Sequence, residues 1–191
     1  MYIKRYIDLI LALFAAILLL PLFLVIAVAL KMDSRGPVIF MHDRVGKDGV
    51  IFKMYKFRSM FADVAPYAVN PLDQHDPRIT GAGRFLRRLS LDELPQIINV
   101  LKGEMSLVGP RPEMPFIVAG YDEIHKERLK VLPGITGLWQ LSGDRKKAIH
   151  ENMDYDLYYI RNISFFLDMA ILCYRRSGTG PISPDKMRPC C

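Results

Sequence analysis

The sequence is short of cysteine and histidine, and the shortage of cysteine removes two classes of protein. Its 3 cysteines are Cys173, in an apolar helical stretch, and Cys190 and Cys191 at the end of the chain. Their spacing suits neither a disulfide framework nor a structural metal site, so the fold must stand on its own core, as in a reducing cytosol. The adjacent terminal cysteines form no prenylation box. His42, His75, His125 and His150 are scattered and read as ordinary surface or core residues. No internal repeat and no nucleic-acid-binding motif is found, so nucleic acid is not an expected partner. At 191 residues there is room for one compact domain with a real core, and not for two.

What the sequence has in quantity is apolar length and positive charge. The net charge of +6 points to acidic partners, among them anionic lipid and phosphorylated small molecules. Leu9 to Leu30 holds no charged residue and is bounded by Asp8 and Lys31. As straight helix this run measures roughly 33 Å, enough for a bilayer core of about 30 Å. Two features argue against a plain spanning helix. Pro21 lies mid-run, where it removes a donor and favours a bend. Lys4 and Arg5 precede the run while Lys31 and Arg35 follow it, so both flanks carry the basic residues of a cytoplasmic end. A re-entrant helix that bends at Pro21 and returns on the same side meets both observations. A kinked spanning helix is the second reading. A cleaved signal peptide, with Ala27-Val28-Ala29 as its cleavage site, is the third, and the run is long for it.

After Lys31 the pattern changes to short strands, turns and helices. Residues 37–41 and 50–57 are β-rich and flank Gly46-Lys47-Asp48-Gly49, which predicts a hairpin. Residues 62–83 read as a long loop. A helix is expected from Ser90–Asp92 to Leu101, stopped by Gly103. An extended piece at 105–108 leads to Gly109-Pro-Arg-Pro112, which the two prolines stiffen. An amphipathic helix is expected over 114–132, an extended segment over 135–141, mainly helix over 149–174, and disorder from 177 onward.

Ser90-Leu-Asp-Glu-Leu-Pro-Gln96 is the densest chemical signal. Ser90 and Glu93 fit a capping box, and Asp92 alone also fits a cap with Pro95 in the first turn. Capping and chemistry are compatible. A helix start favours both ionised carboxylates and bound phosphate, and a carboxylate beside a diphosphate can serve as a nucleophile when Mg²⁺ offsets the repulsion. Its neighbour can then relay a proton. Fixed cations lie nearby in sequence. Arg84, Arg87 and Arg88 precede the acidic pair, Arg111 sits between prolines, and alternation puts Lys56 and Arg58 on one strand face with Phe57 turned to the core. Guanidinium forks suit phosphate, although each of these cations also fits a solvated surface position.

These residues resemble the monotopic phosphoglycosyl transferases, also called bacterial sugar transferases. The likeness rests on Lys56-Phe-Arg-Ser-Met60, Asp76-Pro-Arg-Ile-Thr80, Arg87-Arg-Leu-Ser-Leu-Asp-Glu-Leu-Pro-Gln96 and the stretch from Asn99 to Pro112. Pro133-Gly-Ile-Thr-Gly-Leu-Trp-Gln140 and Asp156-Leu-Tyr-Tyr159 continue it in order, so it covers about residues 3 to 172. The resemblance implies that Asp92 attacks the β-phosphate of a UDP-sugar, releasing UMP. Undecaprenyl phosphate, with Glu93 as base, then takes the phospho-sugar for glycoconjugate synthesis. It further implies Mg²⁺ near Asp92, phosphate contacts from Lys56, Arg58, Arg87 and Arg111, and a re-entrant helix kinked at Pro21. Asp156 falls in a further acidic motif of that family.

The sequence departs from the family at Leu20, where a small polar residue is usual, and after Ile171, where an apolar helix usually continues. The expected architecture is a mixed, irregular, helix-rich α/β fold. Residues 1–31 form the membrane helix, 32–176 a single catalytic domain and 177–191 a disordered tail. The expected location is the cytoplasmic face of a bacterial plasma membrane. A membrane-anchored Mg²⁺-dependent nucleotide-sugar hydrolase would use the same residues and is the alternative.

Overall fold

A computed structural model describes residues 2–64, 75–142 and 152–173. Helix α1, Tyr2–Asp33, is built almost wholly from Leu, Ile, Ala, Val and Phe and is helical on both sides of Pro21. Among the described residues it is the one helix long and apolar enough to cross a membrane. Strands β1, Ile39–Val45, and β2, Ile51–Phe57, form an antiparallel hairpin with Val45 opposite Ile51. Its turn takes Asp48 to φ 56° and Gly49 to φ 78°, the conformation for which the Asp-Gly pair is suited. Helix α2, Gly81–Leu89, and helix α3, Gln96–Lys102, bracket a tight 3₁₀ turn at Leu91–Glu93.

A second small sheet pairs β3, Ser106–Val108, with β4, Gly134–Thr136, in parallel. Short helices α4, Pro115–Val118, and α5, Glu123–Lys126, lie between them. Helices α6, Leu138–Leu141, α7, Met153–Arg161, and α8, Phe165–Cys173, complete the described chain. The result is the helix-rich mixed α/β fold that the sequence predicts.

The core is distributed along α1. Ala12 packs with Phe52 and Met54 of β2, Ile97 and Val100 of α3, and Met105. Nearer its C-terminus, Ile26 and Leu30 pack with Phe57 and Leu86. A third cluster joins Val108, Leu138, Tyr155, Tyr159 and Ile171, with Trp139 packed against it. Tyr159 therefore belongs to the core, and Trp139 packs against it. Asn99 ties α3 to β2: its amide accepts from Tyr55 N at 3.1 Å and donates to Lys53 O and Glu104 Oε2, both at 2.7 Å.

Polar contacts hold both ends of α1 to the same body. Buried Asp8 accepts from Ser106 Oγ at 2.7 Å, and Arg5 donates to the carbonyls of Leu101 and Met105. At the other end Asp33 accepts from Ala82 N at 3.0 Å. Arg58 donates to the carbonyls of Leu30, Ser34 and Arg35 and to Ser34 Oγ, satisfying carbonyls that a helix end leaves unpaired. Between these points α1 exposes Ile10, Phe14, Ile17, Leu18, Leu24 and Val28, a wide apolar face for a protein surface.

Several local expectations are corrected. The loop expected over 62–83 holds no helix among its described residues up to Thr80, residues 65–74 lie outside the description, and only its last three residues enter α2, capped by Thr80 Oγ1 accepting from Gly83 N. Its glycines read as breakers, yet Gly83 is needed because a Cβ there would lie 2.1 Å from Ser59 O. The capping box is not made: Ser90 ends α2 in the left-handed region at φ 58°, and α3 begins only after Pro95. The helix expected over 114–132 is three short pieces, because Gly120 and the Asp122 cap interrupt it. Residues 135–141 divide into the end of β4 and α6, and the helix expected to 174 breaks between α7 and α8. The expected tail at 177–191 lies outside the described residues.

Arg58→Ala strips charged donors from three carbonyls and is expected to cost roughly 2–4 kcal/mol. Arg88→Ala, on the exposed side of α2, is expected to change stability by less than about 0.5 kcal/mol. Thermal unfolding in detergent measures both; equal effects would contradict the capping role of Arg58.

Candidate active site

Ser90 turns the chain out of α2, and the 3₁₀ turn that follows presents Asp92 and Glu93 side by side. Across from them β2 supplies Lys56, and the rigid segment after β3 supplies Arg111. Glu93 Oε1 accepts from Lys56 Nζ at 2.8 Å and from Arg111 Nη2 at 2.7 Å. Arg87, on the last turn of α2, lies close enough to bias the ionisation of Asp92. Four sequence-predicted residues thus converge on Asp92: Glu93, Lys56, Arg87 and Arg111. Arg58 does not join them, since its guanidinium is engaged at the end of α1. Pro21 lies within α1.

The two adjacent carboxyls stand in opposite environments. Burial pushes the Asp92 carboxyl up, Lys56 opposes this, and neighbouring Glu93 adds to the rise. For Glu93 burial also acts upward, but Arg111 and Lys56 together outweigh it and hold the carboxyl well below the usual range. Burial lowers Lys56 despite the attraction of Glu93. Asp92 is 9% exposed, and no hydrogen bond to its carboxylate is seen among the described residues. Its oxygens are free for another ligand.

That donor set is consistent with a hard divalent cation. Mg²⁺ usually takes one or two carboxylates and completes its shell with water and substrate phosphate. No group of three or more metal-binding side chains occurs among the described residues, so Asp92 would need substrate oxygens beside it. Glu93, committed to two cations, is the poorer candidate.

His42 is a residue whose place the sequence reading missed. It is buried, and its pKa is lowered to about 3 by burial first and then by Arg44, Lys56 and Arg111. It is therefore a neutral imidazole beside the cation cluster. The signal lay in the hairpin register: His42 pairs with Met54, and Phe40 with Lys56, so His42 shares a face with Lys56. Asp76 also proves structural in its immediate contacts. Hydrogen bonds from Arg78 hold its carboxyl down at about 2, bracing the turn that leads into α2.

A carboxylate pair in a cationic cleft, carried by a domain packed along a helix long and apolar enough to cross a membrane, defines an anion-handling site beside a helix that fits a membrane anchor. The chain belongs to the bacterial sugar transferase family, whose sequence model matches residues 1–176. It is 43% identical over 181 residues to the undecaprenyl-phosphate glucose phosphotransferase of Komagataeibacter xylinus, covering 88% of this chain and 34% of that protein. It is 40% identical over 177 residues to a UDP-N-acetylgalactosamine-undecaprenyl-phosphate N-acetylgalactosaminephosphotransferase of Aeromonas hydrophila, covering 90% and 42%. It is 41% identical over 182 residues to the exopolysaccharide production protein PSS of Rhizobium leguminosarum bv. phaseoli, covering 89% and 91%. The chain thus spans about a third of the first of these relatives and nearly all of the last.

The environment of Asp92 has a measurable consequence for stability. Its carboxyl titrates higher in the fold than in the unfolded chain, so its ionised form is a cost above the folded pKa. That cost disappears below the unfolded value near 3.8. Asp92→Asn is therefore expected to raise the unfolding midpoint at pH 8. The difference should vanish as the pH falls below the unfolded value, by about pH 3; an equal gain at both pH values would refute the assignment.

Proposed function

We propose that this protein transfers a sugar-1-phosphate from a UDP-sugar to undecaprenyl phosphate through a covalent phospho-aspartate at Asp92. The observation that carries this reading is the placement of an unbonded buried carboxylate, Asp92, beside Lys56, Arg87 and Arg111. Relatives named as undecaprenyl-phosphate sugar phosphotransferases support the same donor and acceptor classes.

In the first step an Asp92 oxygen attacks the β-phosphorus of the donor. The bond from that phosphorus to the bridging oxygen breaks, and UMP departs with the electron pair. Lys56, Arg87 and Arg111 face the charge that builds on the phosphoryl oxygens, and Lys56 and Arg111 are already fixed by their contacts with Glu93, so little reorganisation is needed. In the second step a phosphate oxygen of undecaprenyl phosphate attacks the same phosphorus. The Asp92–phosphorus bond breaks, and the polyprenyl-diphosphate-sugar leaves with the carboxylate restored. Glu93 is the base that accepts a proton from the acceptor phosphate, once donor or acceptor phosphate competes for Lys56 and Arg111. A bound Mg²⁺ at Asp92 would screen the carboxylate from the diphosphate and polarise its oxygens.

The membrane anchor brings this site to a lipid acceptor. We propose that α1 is embedded from the cytoplasmic face of the plasma membrane as a re-entrant element. Support comes from Asp8 near one end and Asp33 at the other, both bonded to the same domain. A helix that crosses the bilayer would carry those two points to opposite sides. Cysteines placed at positions 2 and 34 are expected to react with an impermeant reagent from the cytoplasmic side alone; labelling from opposite sides would show a spanning helix.

The principal test is UMP release from a panel of UDP-sugars in detergent with Mg²⁺, with and without undecaprenyl phosphate. Lipid-dependent UMP release together with a glycolipid product is the expected result, and EDTA should abolish it. Asp92→Asn is expected to lower turnover by roughly a thousandfold or more. Glu93→Gln should slow resolution of the intermediate by roughly a hundredfold or more. Free sugar phosphate without glycolipid would instead show a hydrolase, and substantial turnover by Asp92→Asn would exclude the nucleophile assignment.

A further inference from the structure

Behind the site lies a second set of ionised side chains that the transfer chemistry does not use. Arg128 is 4% exposed, Glu113 5% and Asp156 2%. Arg128 Nε donates to Asp156 Oδ2 at 2.7 Å, and its Nη1 donates to Tyr121 Oη and lies 3.5 Å from Glu113 Oε2. Tyr121 Oη in turn donates to Glu113 Oε2 at 2.5 Å. The remaining arm of the guanidinium, Nη2, donates to the backbone carbonyl of Arg111 at 2.7 Å. With every side of its fork committed and almost no exposure, Arg128 cannot itself reach a substrate. Asp156 is equally closed off.

The Arg111 carbonyl is one of four successive carbonyls held in this way. Pro110 O accepts from Gly134 N at 2.9 Å, and Glu113 O accepts from Val45 N at 3.0 Å. Pro112 O accepts from Arg44 Nη1 at 3.2 Å. Two of the four donors are buried arginines, and both prolines fix their own φ. From below, the loop rests on bare backbone: a Cβ on Gly134 would come within 2.1 Å of Gly109 N. A buried ion pair is a costly way to stabilise a fold, since apolar residues of similar size often do as well or better. A directional guanidinium is, however, able to hold one carbonyl at one angle, which an apolar side chain cannot do.

We propose that Arg128 and Asp156 are positioning residues for Arg111. Asp156 orients the Arg128 guanidinium, and Arg128 fixes the backbone from which Arg111 reaches Glu93 and the donor diphosphate. The inference rests on the reading of Arg111 as a phosphate-binding residue. It gives Asp156 a role through Arg128 instead of a direct contact with substrate or metal.

The test uses the full chain in detergent and two conservative variants, Arg128→Lys and Asp156→Asn, compared with wild type by hydrogen exchange. Both variants are expected to speed exchange in the peptide carrying residues 109–118 while the hairpin at 51–57 keeps its protection, so the fold is intact. Unchanged exchange in residues 109–118 would overturn the proposal. UDP with Mg²⁺ then serves as the binding probe. Asp156→Asn is expected to weaken UDP binding about tenfold, the loss typical of one misplaced charged hydrogen bond. In an Arg111→Ala background the same change should have no further effect, because Asp156 acts only through Arg111. A full additional loss in that background would also overturn it. Failure of the wild type to bind UDP would count against the nucleotide-sugar reading, and the exchange comparison would still decide the clamp.

Discussion

The carboxylate of Glu93 is the point on which the site depends, because one of its oxygens joins three separate parts of the chain. Lys56 comes from the hairpin, Arg111 from the segment after β3, and Glu93 from the turn between α2 and α3. Without Glu93, two largely buried cations would face each other across the cleft with no anion between them, which is costly in a low-dielectric setting. The register of this meeting is set elsewhere. Asn99 bonds α3 to the backbone at Lys53 and Tyr55, which fixes the turn at 91–93 opposite Lys56. Paired with the hydrophobic contacts of Ile97 and Val100, that bond sets where the carboxylates point.

Helix α1 is the second organising element, and it joins a wide exposed apolar face to a share in the core. Its inward residues supply part of two hydrophobic clusters, while its outward side is left apolar. Removing it would take from Phe52, Phe57 and Leu86 part of their packing. The outward face and the core are therefore coupled: whatever medium covers the outward face of α1 also stabilises the domain beneath it. This coupling explains why polar residues such as Asp8 and Arg58 are spent at the two ends. They fix the helix along the domain axis, where hydrophobic packing alone would let it slide.

The sequence made the chemistry more legible than the architecture. Asp92, Glu93, Lys56, Arg87 and Arg111 stand in short motifs whose composition is explained by anion handling, and the fold brings them together. The hairpin was legible for a similar reason, since its turn residues need positive φ. Arg58 was misleading because alternation along β2 ends at Phe57, one residue before it, and the side chain is captured by the end of α1. The start of helix α2 was hidden by Gly81 and Gly83, which look like breakers, although Gly83 is there for close approach to Ser59 and Gly81 faces the Asp33 side chain. The capping box was a fair local inference that tertiary contacts overrode, since Glu93 is engaged by Lys56 and Arg111. Nothing local could reveal the clamp on Arg111, because Arg44, Arg128 and Asp156 are distant from it in the chain and meet only in the fold.

The contrast between Asp92 and Glu93 explains how neighbouring carboxylates come to do different work. Glu93 lies within a cage of donors that stabilises its charge and weakens it as a base until those donors find another anion. Asp92 is buried with no hydrogen-bond donor to its carboxylate among the described residues, so its charge is poorly stabilised. Charge balance then bears on the cofactor. Lys56, Arg87 and Arg111 offset the two carboxylates with one positive charge to spare, and on the proposed function a nucleotide diphosphate would bring at least two negative charges. A surplus of negative charge at a buried aspartate would drive it toward protonation and work against the proposed nucleophile. On that reading a divalent cation held at Asp92 would offset the surplus, and among the described residues no hydrogen bond occupies the Asp92 oxygens.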